Sequence, residues 1–184
     1  MADQTDTSLD APAETGGDNE GAVVEELHGA PVTGSGADRV AHPSRQQLHE
    51  VVAALRAEGW LMCLDVTAVD YLTYGAPRPL PAGVDAARFE VVVVLMSHAE
   101  RQRLRLRVQV PADDPVVPSL FDLHPGTEAL EREVFDMFGI RFDGHPDLTR
   151  ILMPEDWEGH PLRKDYALGR IPVQFKGAST GRPT

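Results

Sequence analysis

The chain has 184 residues, a hydrophobic fraction of 42% and a net charge of −12 at pH 7, a size that suits one domain with tails. The acidic balance argues against nucleic acid, whose binding relies on Lys and Arg neutralising phosphates, and no stretch approaches the roughly 18 consecutive apolar residues of a membrane-spanning helix. Its single cysteine, Cys63, cannot form an internal disulfide or supply the four thiolates that an iron–sulfur cluster typically takes.

Residues 1–38 carry nine acidic side chains and no Lys or Arg. Such a segment buries too little apolar surface to offset its chain entropy, so residues 1–39 are expected to form a disordered acidic leader. It has neither the basic start and apolar run of a secretory signal nor the Arg-rich character of a transit peptide. Ordered structure is expected from about residue 40. After Pro43-Ser44, the apolar residues Leu48, Val51, Val52 and Leu55 recur at helical spacing, and Gly59 closes a helix over about 44–58. Trp60–Leu72 reads as a strand, followed by a turn-rich connection over 73–87 that holds Gly75, Pro77, Pro79, Pro81 and Gly83. Cys63 stands among Leu61, Met62, Leu64 and Val66 and reads as a buried, inert thiol.

Arg88–Ser97 is the most apolar strand and the expected centre of the sheet. The short turn His98–Glu100 leads into Gln102–Val110, which implies an antiparallel hairpin. Alternation puts Arg103, Arg105 and Arg107, with Arg101 before them, on one face, and Leu104, Leu106, Val108 and Val110 on the other. The arginine face reads as a solvated side of a half-buried sheet, or as a docking face for an acidic partner. Residues 40–138 thus predict a small two-layer α+β domain, a helix packed on a mainly antiparallel sheet.

A second helix is predicted from Thr127 as N-cap to Gly139. Leu130, Val134, Met137 and Phe138 form its apolar stripe. Glu128, Glu131 and Glu133 favour its N-terminal turns, and Arg132 and Asp136 are spaced to pair at i, i+4. Beyond Gly139 the chain is apolar without a period, and Pro146, Pro154, Pro161 and Pro172 preclude a long helix. Residues 139–184 are therefore expected to form a long extended tail that covers a partner, anchored by Trp157, Arg163 and Tyr166. His145 and His160, each within a Gly-His-Pro triplet, invite a metal reading with Asp147 or Asp165. Their spacing matches no known site, and hydrogen bonding through the rings is the favoured reading.

From Glu131 the chain reads Glu-Arg-Glu, then Asp-x-Phe-Gly-Ile at Asp136–Ile140 and Gly-His-Pro at Gly144–Pro146. Arg-Ile follows at Arg150–Ile151, and Gly-His-Pro-Leu-Arg-Lys-Asp-Tyr at Gly159–Tyr166. This series closely resembles the signature of the thirty-kilodalton subunit family of respiratory complex I, the NADH-quinone oxidoreductase. Two positions depart from it: Thr149 stands where the family has a basic residue, and His124 where an aromatic residue is usual.

The resemblance implies a non-redox structural subunit in the peripheral arm of a proton-translocating NADH:quinone oxidoreductase. Such a subunit braces the quinone-site and iron–sulfur subunits and has no catalytic, cofactor-binding or metal-binding residue of its own. FMN, iron–sulfur clusters and quinone would then reside in partner subunits. The chain would lie on the cytoplasmic side of a bacterial inner membrane, held there only through partners. Its expected subunit-interface residues are Glu131, Arg132, Glu133, Asp136, Phe138, His145, Arg150, Trp157, His160, Arg163, Lys164, Asp165 and Tyr166. The alternatives are an equivalent subunit of a membrane-bound hydrogenase-type complex, or a stand-alone metal-dependent hydrolase using His145 and His160.

Overall fold

A computed structural model of the chain describes residues 25–167. Residues 1–24 of the expected leader and 168–184 of the expected tail lie outside the described residues. The order of elements is β1 (Glu26–Leu27), β2 (Ala30–Thr33), β3 (Val40–Ala41), α1 (Leu48–Ala57), β4 (Met62–Asp70), β5 (Phe89–Ser97), β6 (Gln102–Val110), β7 (Val116–Pro118), α2 (Glu128–Phe138) and β8 (Arg141–Asp143). Six strands form one sheet in the order β1-β2-β3-β6-β5-β4, and β7 and β8 pair separately. All neighbours in the large sheet are antiparallel except β3 and β6. The α+β class and the mainly antiparallel sheet expected from the sequence are both present.

Alternation builds the core. Phe89, Val91, Val93 and Leu95 of β5 point to one face and are fully buried. They stand opposite Val110, Val108, Leu106 and Leu104 of β6 in antiparallel register. The same cluster takes in Leu48, Val51, Val52 and Leu55 of α1 and Val134, Met137 and Phe138 of α2, so both predicted helical stripes face inward. The predicted hairpin is β5–β6, and β5 is flanked by β6 and β4.

The fold starts earlier than the composition suggests. Leu27 and Ala30 close a hairpin over His28-Gly29, whose φ angles of 52° and 76° fit the tight two-residue turn that matches strand twist. Ala30 and Val32 are buried and join the core, so β1 and β2 occupy part of the segment expected as leader. The acidic average of residues 1–38 conceals this short apolar alternation.

Cys63 is half-buried rather than buried. Burial pushes its thiol up to about 11, while Leu61, Met62 and Leu64 beside it are exposed. The register of β4 against β5 shifts between Cys63 and Asp65, and such a bulge re-aims side chains on an edge strand.

Residues 139–167, the described part of the expected tail, pack on this chain's own domain. Instead of leaving the domain, the chain after Gly139 turns back at once. Gly139 adopts φ 76°, a left-handed helix end that favours glycine, and β8 then pairs in parallel with β7. Ile140 and Phe142 are buried in the same core as β5 and β6, and residues 145–166 close over α2 and the β4–β5 edge.

Candidate functional site

The site is a clasp in which the return segment grips α2. Two carboxylates on α2, Glu131 and Asp136, are fully buried, although their positions lie off the centre of the apolar stripe. Burying a carboxylate is costly unless hydrogen-bond donors surround it, and both are surrounded. Glu131 accepts from Ser119 Oγ at 2.6 Å and from the Leu120 amide at 2.8 Å, which ties the β7–α2 connection to the helix.

Asp136 is the hub. Its Oδ1 accepts from Arg150 Nη1 at 2.5 Å, and its Oδ2 accepts from the successive amides of Ile151, Leu152 and Met153 at 3.1, 2.8 and 2.8 Å. Burial alone would raise this carboxyl. The amides of Met153 and Leu152, then Arg150, outweigh that effect and hold it below the ordinary carboxylate value. Arg150 also donates to the Gly159 carbonyl at 2.9 Å, so one guanidinium joins the helix to both halves of the return segment.

Arg132 does not pair with Asp136 as its spacing suggested. It lies 3.7 Å from Glu128 and donates to Thr149 O, Thr149 Oγ1 and Arg150 O at 3.1, 2.9 and 3.0 Å. Asp136 is drawn instead to the amide row, which offers it more donors than one guanidinium on its own helix. Thr149, the departure from the signature, supplies two of the oxygens that Arg132 grips. Glu133 is exposed, and Phe138 is part of the core.

The two Gly-His-Pro triplets prove to be two clips at opposite ends of one helix. His145 Nδ1 accepts from the Asp147 amide at 3.1 Å, which leaves Nε2–H to donate to the Glu128 carbonyl at 3.1 Å. His160 Nδ1 donates to the Asp136 carbonyl at 2.9 Å. Its ring sits edge-on to Phe135 at 6.2 Å and directly against Gly139, where a Cβ would stand 2.6 Å from Cδ2. Glu128 and Asp136 are eight residues apart on α2, about 12 Å along the axis. The two rings therefore do not converge, and among the described residues no group of three His, Cys, Asp or Glu could hold a metal ion.

The end of the clasp is locked to the sheet by a second network that the sequence reading missed. Asp70, at the end of β4, accepts from Arg88 Nε and Nη2 at 3.1 and 2.8 Å and from the Lys164 amide at 2.8 Å. Arg88 also lies 2.8 Å from Asp165. Hydrogen bonds from Arg88 and Arg163 hold the Asp165 carboxyl well below the usual range. Asp70 is lowered as well, burial being outweighed by Arg88 and by the Lys164 and Leu72 amides. Arg163 stacks over the Phe89 ring at 5.3 Å, and the Tyr166 ring packs on Gly159. Trp157 is half-buried, with no partner for its indole N–H among the described residues. The opposite charges at adjoining ends of β4 and β5 were the one sequence signal for Asp70 and Arg88.

Thr127 occupies the predicted N-terminal position of α2 but makes no side-chain cap bond. It is the last residue of a short 3-10 turn over Pro125–Thr127, so its backbone is already helical and its hydroxyl is not placed to cap.

While its polar groups turn inward, the clasp holds apolar side chains outward. Ile151, Leu152 and Leu162 are 41%, 59% and 48% exposed, although their backbone amides are fixed to Asp136 or, for Leu162, to the Met137 carbonyl at 3.0 Å. The arrangement is a polar lock beneath outward apolar side chains.

Comparison with known proteins covers the sheet and the clasp together. The family described as respiratory-chain NADH dehydrogenase, 30 Kd subunit, matches residues 41–171. An NADH-quinone oxidoreductase subunit of Salinispora tropica is 45% identical over 145 residues, 77% of this chain and 55% of the relative. NADH-quinone oxidoreductase subunit 5 of Thermus thermophilus is 44% identical over 154 residues, 75% of this chain and 71% of the relative. The chain spans about half the length of several of the curated relatives it matches. Among solved structures, a trypsin-resistant fragment of Nqo5 superposes with a TM-score of 0.57 at 38% identity, over 65% of this chain and 90% of the fragment. A chain of the membrane-bound sulfane sulfur reductase, an archaeal respiratory membrane complex, shares the fold with a TM-score of 0.62 at 20% identity, over 82% of this chain and 88% of that one.

Proposed function

We propose, from the premise that this chain belongs to the respiratory-chain NADH dehydrogenase 30 Kd subunit family, that it is a non-redox bracing subunit of a quinone-reducing NADH dehydrogenase. Its clasp presents an ordered docking surface to the neighbouring subunits that hold the quinone site and the iron–sulfur clusters. FMN, clusters and quinone belong to those partners, and this chain meets the membrane through them. No helix among the described residues is long and apolar enough to cross a membrane. A cytoplasmic-side, peripheral place in a bacterial inner membrane belongs to the same proposal.

The observation that carries this reading is the division of labour within residues 145–166. Buried polar bonds fix the backbone to α2, while Ile151, Leu152 and Leu162 face outward. Fixing a segment before it binds removes an ordering cost from association. Of the expected interface residues, Asp136, Arg132, Arg150, His145 and His160 act on this chain itself. Their contribution to the interface is therefore the shape they impose, and the outward apolar residues make the contacts.

The test is affinity purification of the tagged full chain from native membranes in mild detergent, with mass spectrometry of the accompanying proteins. Flavin- and cluster-bearing NADH dehydrogenase subunits are expected. Leu152→Glu, at an exposed position, should leave the fold intact and sharply reduce that recovery. Recovery of a nickel hydrogenase would move the same bracing role to another complex, and a chain recovered alone would overturn the proposal.

A further inference from the structure

The two faces of the large sheet are unequal. The face that carries Val91, Val93, Leu104 and Leu106 is packed with α1 and α2 in the core. On the other face Val92, Val94 and Met96 of β5 are only half-buried, and they stand opposite Arg107, Arg105 and Arg103 of β6. Thr67 and Met62 of β4, both exposed, extend two of these rows. The arginine face read from the sequence is thus an apolar strip bordered by guanidinium groups, and neither the core nor the clasp employs it.

The arginines differ in how far they are satisfied. Arg107 Nε donates to the buried Glu90 at 2.7 Å. Arg105 lies 3.4 Å from Asp38, with 48% and 89% of the two side chains exposed, so water screens that pair. Arg101 and Arg103 are exposed and have no ion-pair partner among the described residues. Together with Met96, His98 and Gln102 they line a cavity of about 220 Å³. The other carboxylates nearby are Glu100, in the turn, and Asp65, which stands across Val94 from Arg105, about 10 Å away at two strand spacings.

The same chain carries a complement to this row. Residues 1–24 contain Asp3, Asp6, Asp10, Glu14, Asp18 and Glu20 and no Lys or Arg. They join the fold beside the arginines. Glu25 accepts from Arg39 Nη2 at 2.5 Å, and Asp38, next to Arg39, is the partner of Arg105. From β1 to β6 is three strand spacings, about 14 Å, whereas 24 residues of extended chain reach roughly 80 Å. We propose that residues 1–24 lie across the arginine face of their own chain, with their carboxylates against Arg101, Arg103 and Arg105. Each exposed pair is weak, and the contact forms because the tether holds the carboxylates at an effective concentration on the order of millimolar. None of these residues belongs to the clasp, so the contact stands or falls apart from the bracing role.

The test is paramagnetic broadening in the 15N-labelled full chain, with a nitroxide on Ser8→Cys and with Cys63→Ala so that the label has one site. Broadening is expected at Val94, Met96, Arg103 and Arg105 and not along α1 or α2. Arg103→Gln, at an exposed position, should reduce it about threefold, the worth of one exposed pair. Salt at 1 M, where charges are screened beyond about 3 Å, should abolish it. The chain with Cys63 intact gives a second measurement without a label. There the Nε signals of Arg103 and Arg105 should move when the six acidic residues are changed to Asn and Gln. Equal broadening on both faces of the sheet, a pattern unchanged by Arg103→Gln and by salt, or unmoved Nε signals would overturn the proposal. Broadening of an unlabelled-cysteine 15N chain by a spin-labelled 14N chain would assign the contact to a second copy and overturn it equally.

Discussion

The β5–β6 face and the clasp on α2 are equally buried at their centres but are held by opposite means. Val91, Val93, Leu106 and Val108 are fully buried apolar side chains whose places follow from alternation. Asp136 is as deeply buried, yet it is a charge enclosed by one guanidinium and three amides. The apolar face tolerates graded changes of volume. The clasp does not, because withdrawing one partner leaves several buried polar groups unsatisfied together.

The largest effect that would separate the two regions is Asp136→Ala. Losing the carboxylate strands Arg150 and the amides of residues 151–153, and breaking a buried pair costs about 3–5 kcal/mol. Leu106→Ala should cost a similar amount, about 2–5 kcal/mol, by leaving a cavity. Urea titration measures both losses, and native-state hydrogen exchange tells them apart. Asp136→Ala should abolish protection at residues 150–153 well before global unfolding, whereas Leu106→Ala should lower protection everywhere. Uniform loss in both variants would erase the distinction.

Acid should divide the regions by pH. His42 and His124 both have lowered pKa values, chiefly through burial, so the unfolded chain takes up their protons first. Their contribution is complete above the unfolded value of about 6.5 and is lost as pH falls through the folded values. The clasp carboxylates Asp70, Asp136 and Asp165 are also lowered. Their contribution is complete above the unfolded value of about 3.9 and is lost only as pH falls further, through their folded values. Stability measured against pH should thus decline from about pH 6.5, while exchange protection at 150–153 survives to about pH 4. Loss of that protection at pH 6 would show that the carboxylates do not hold the segment.

Gly139 and His160 offer a smaller, coupled effect. An alanine at Gly139 meets both a left-handed φ of 76° and the imidazole at 2.6 Å, for a cost of about 1–3 kcal/mol. Combining Gly139→Ala with His160→Ala should cost less than the sum of the single changes, since removing the ring removes the collision. Strict additivity in that cycle would mean that the ring does not rest on the helix end.

The apolar half of the molecule could be read in advance because burial there has a period. Leu48, Val51, Val52 and Leu55, and alternate residues of β5 and β6, declare their faces by spacing alone. The clasp has no period. Asp136 binds backbone amides fifteen to seventeen positions ahead, and a backbone amide leaves no mark on residue identity. The signature falls on residues that build the clasp, yet their apolar, aperiodic character suggested a tail lying on a partner. Nothing in Ile151, Leu152 and Met153 advertised that their amides would enclose a carboxylate of the same chain. Asp70 and Arg88 were missed for a related reason, since a strand-end pair becomes visible only once the register of β4 on β5 is fixed.

The smallest effect concerns Thr149, where the chain leaves its family's pattern. Its hydroxyl accepts from Arg132 Nη2 at 2.9 Å, and its carbonyl accepts from Arg132 Nε. Thr149→Val removes only the first bond, at a largely exposed position, for about 0.5–1 kcal/mol. Thr149→Lys restores the charge usual in the family but sets a cation beside Arg132, whose nearest described carboxylate, Glu128, is 3.7 Å away and half-exposed. That variant should therefore be no more stable than Thr149→Val in urea titration. A lysine variant more stable than the parent would mean that the position answers to a negative group outside this chain's own clasp. The departure would then weaken a contact with a partner rather than substitute for one within the fold.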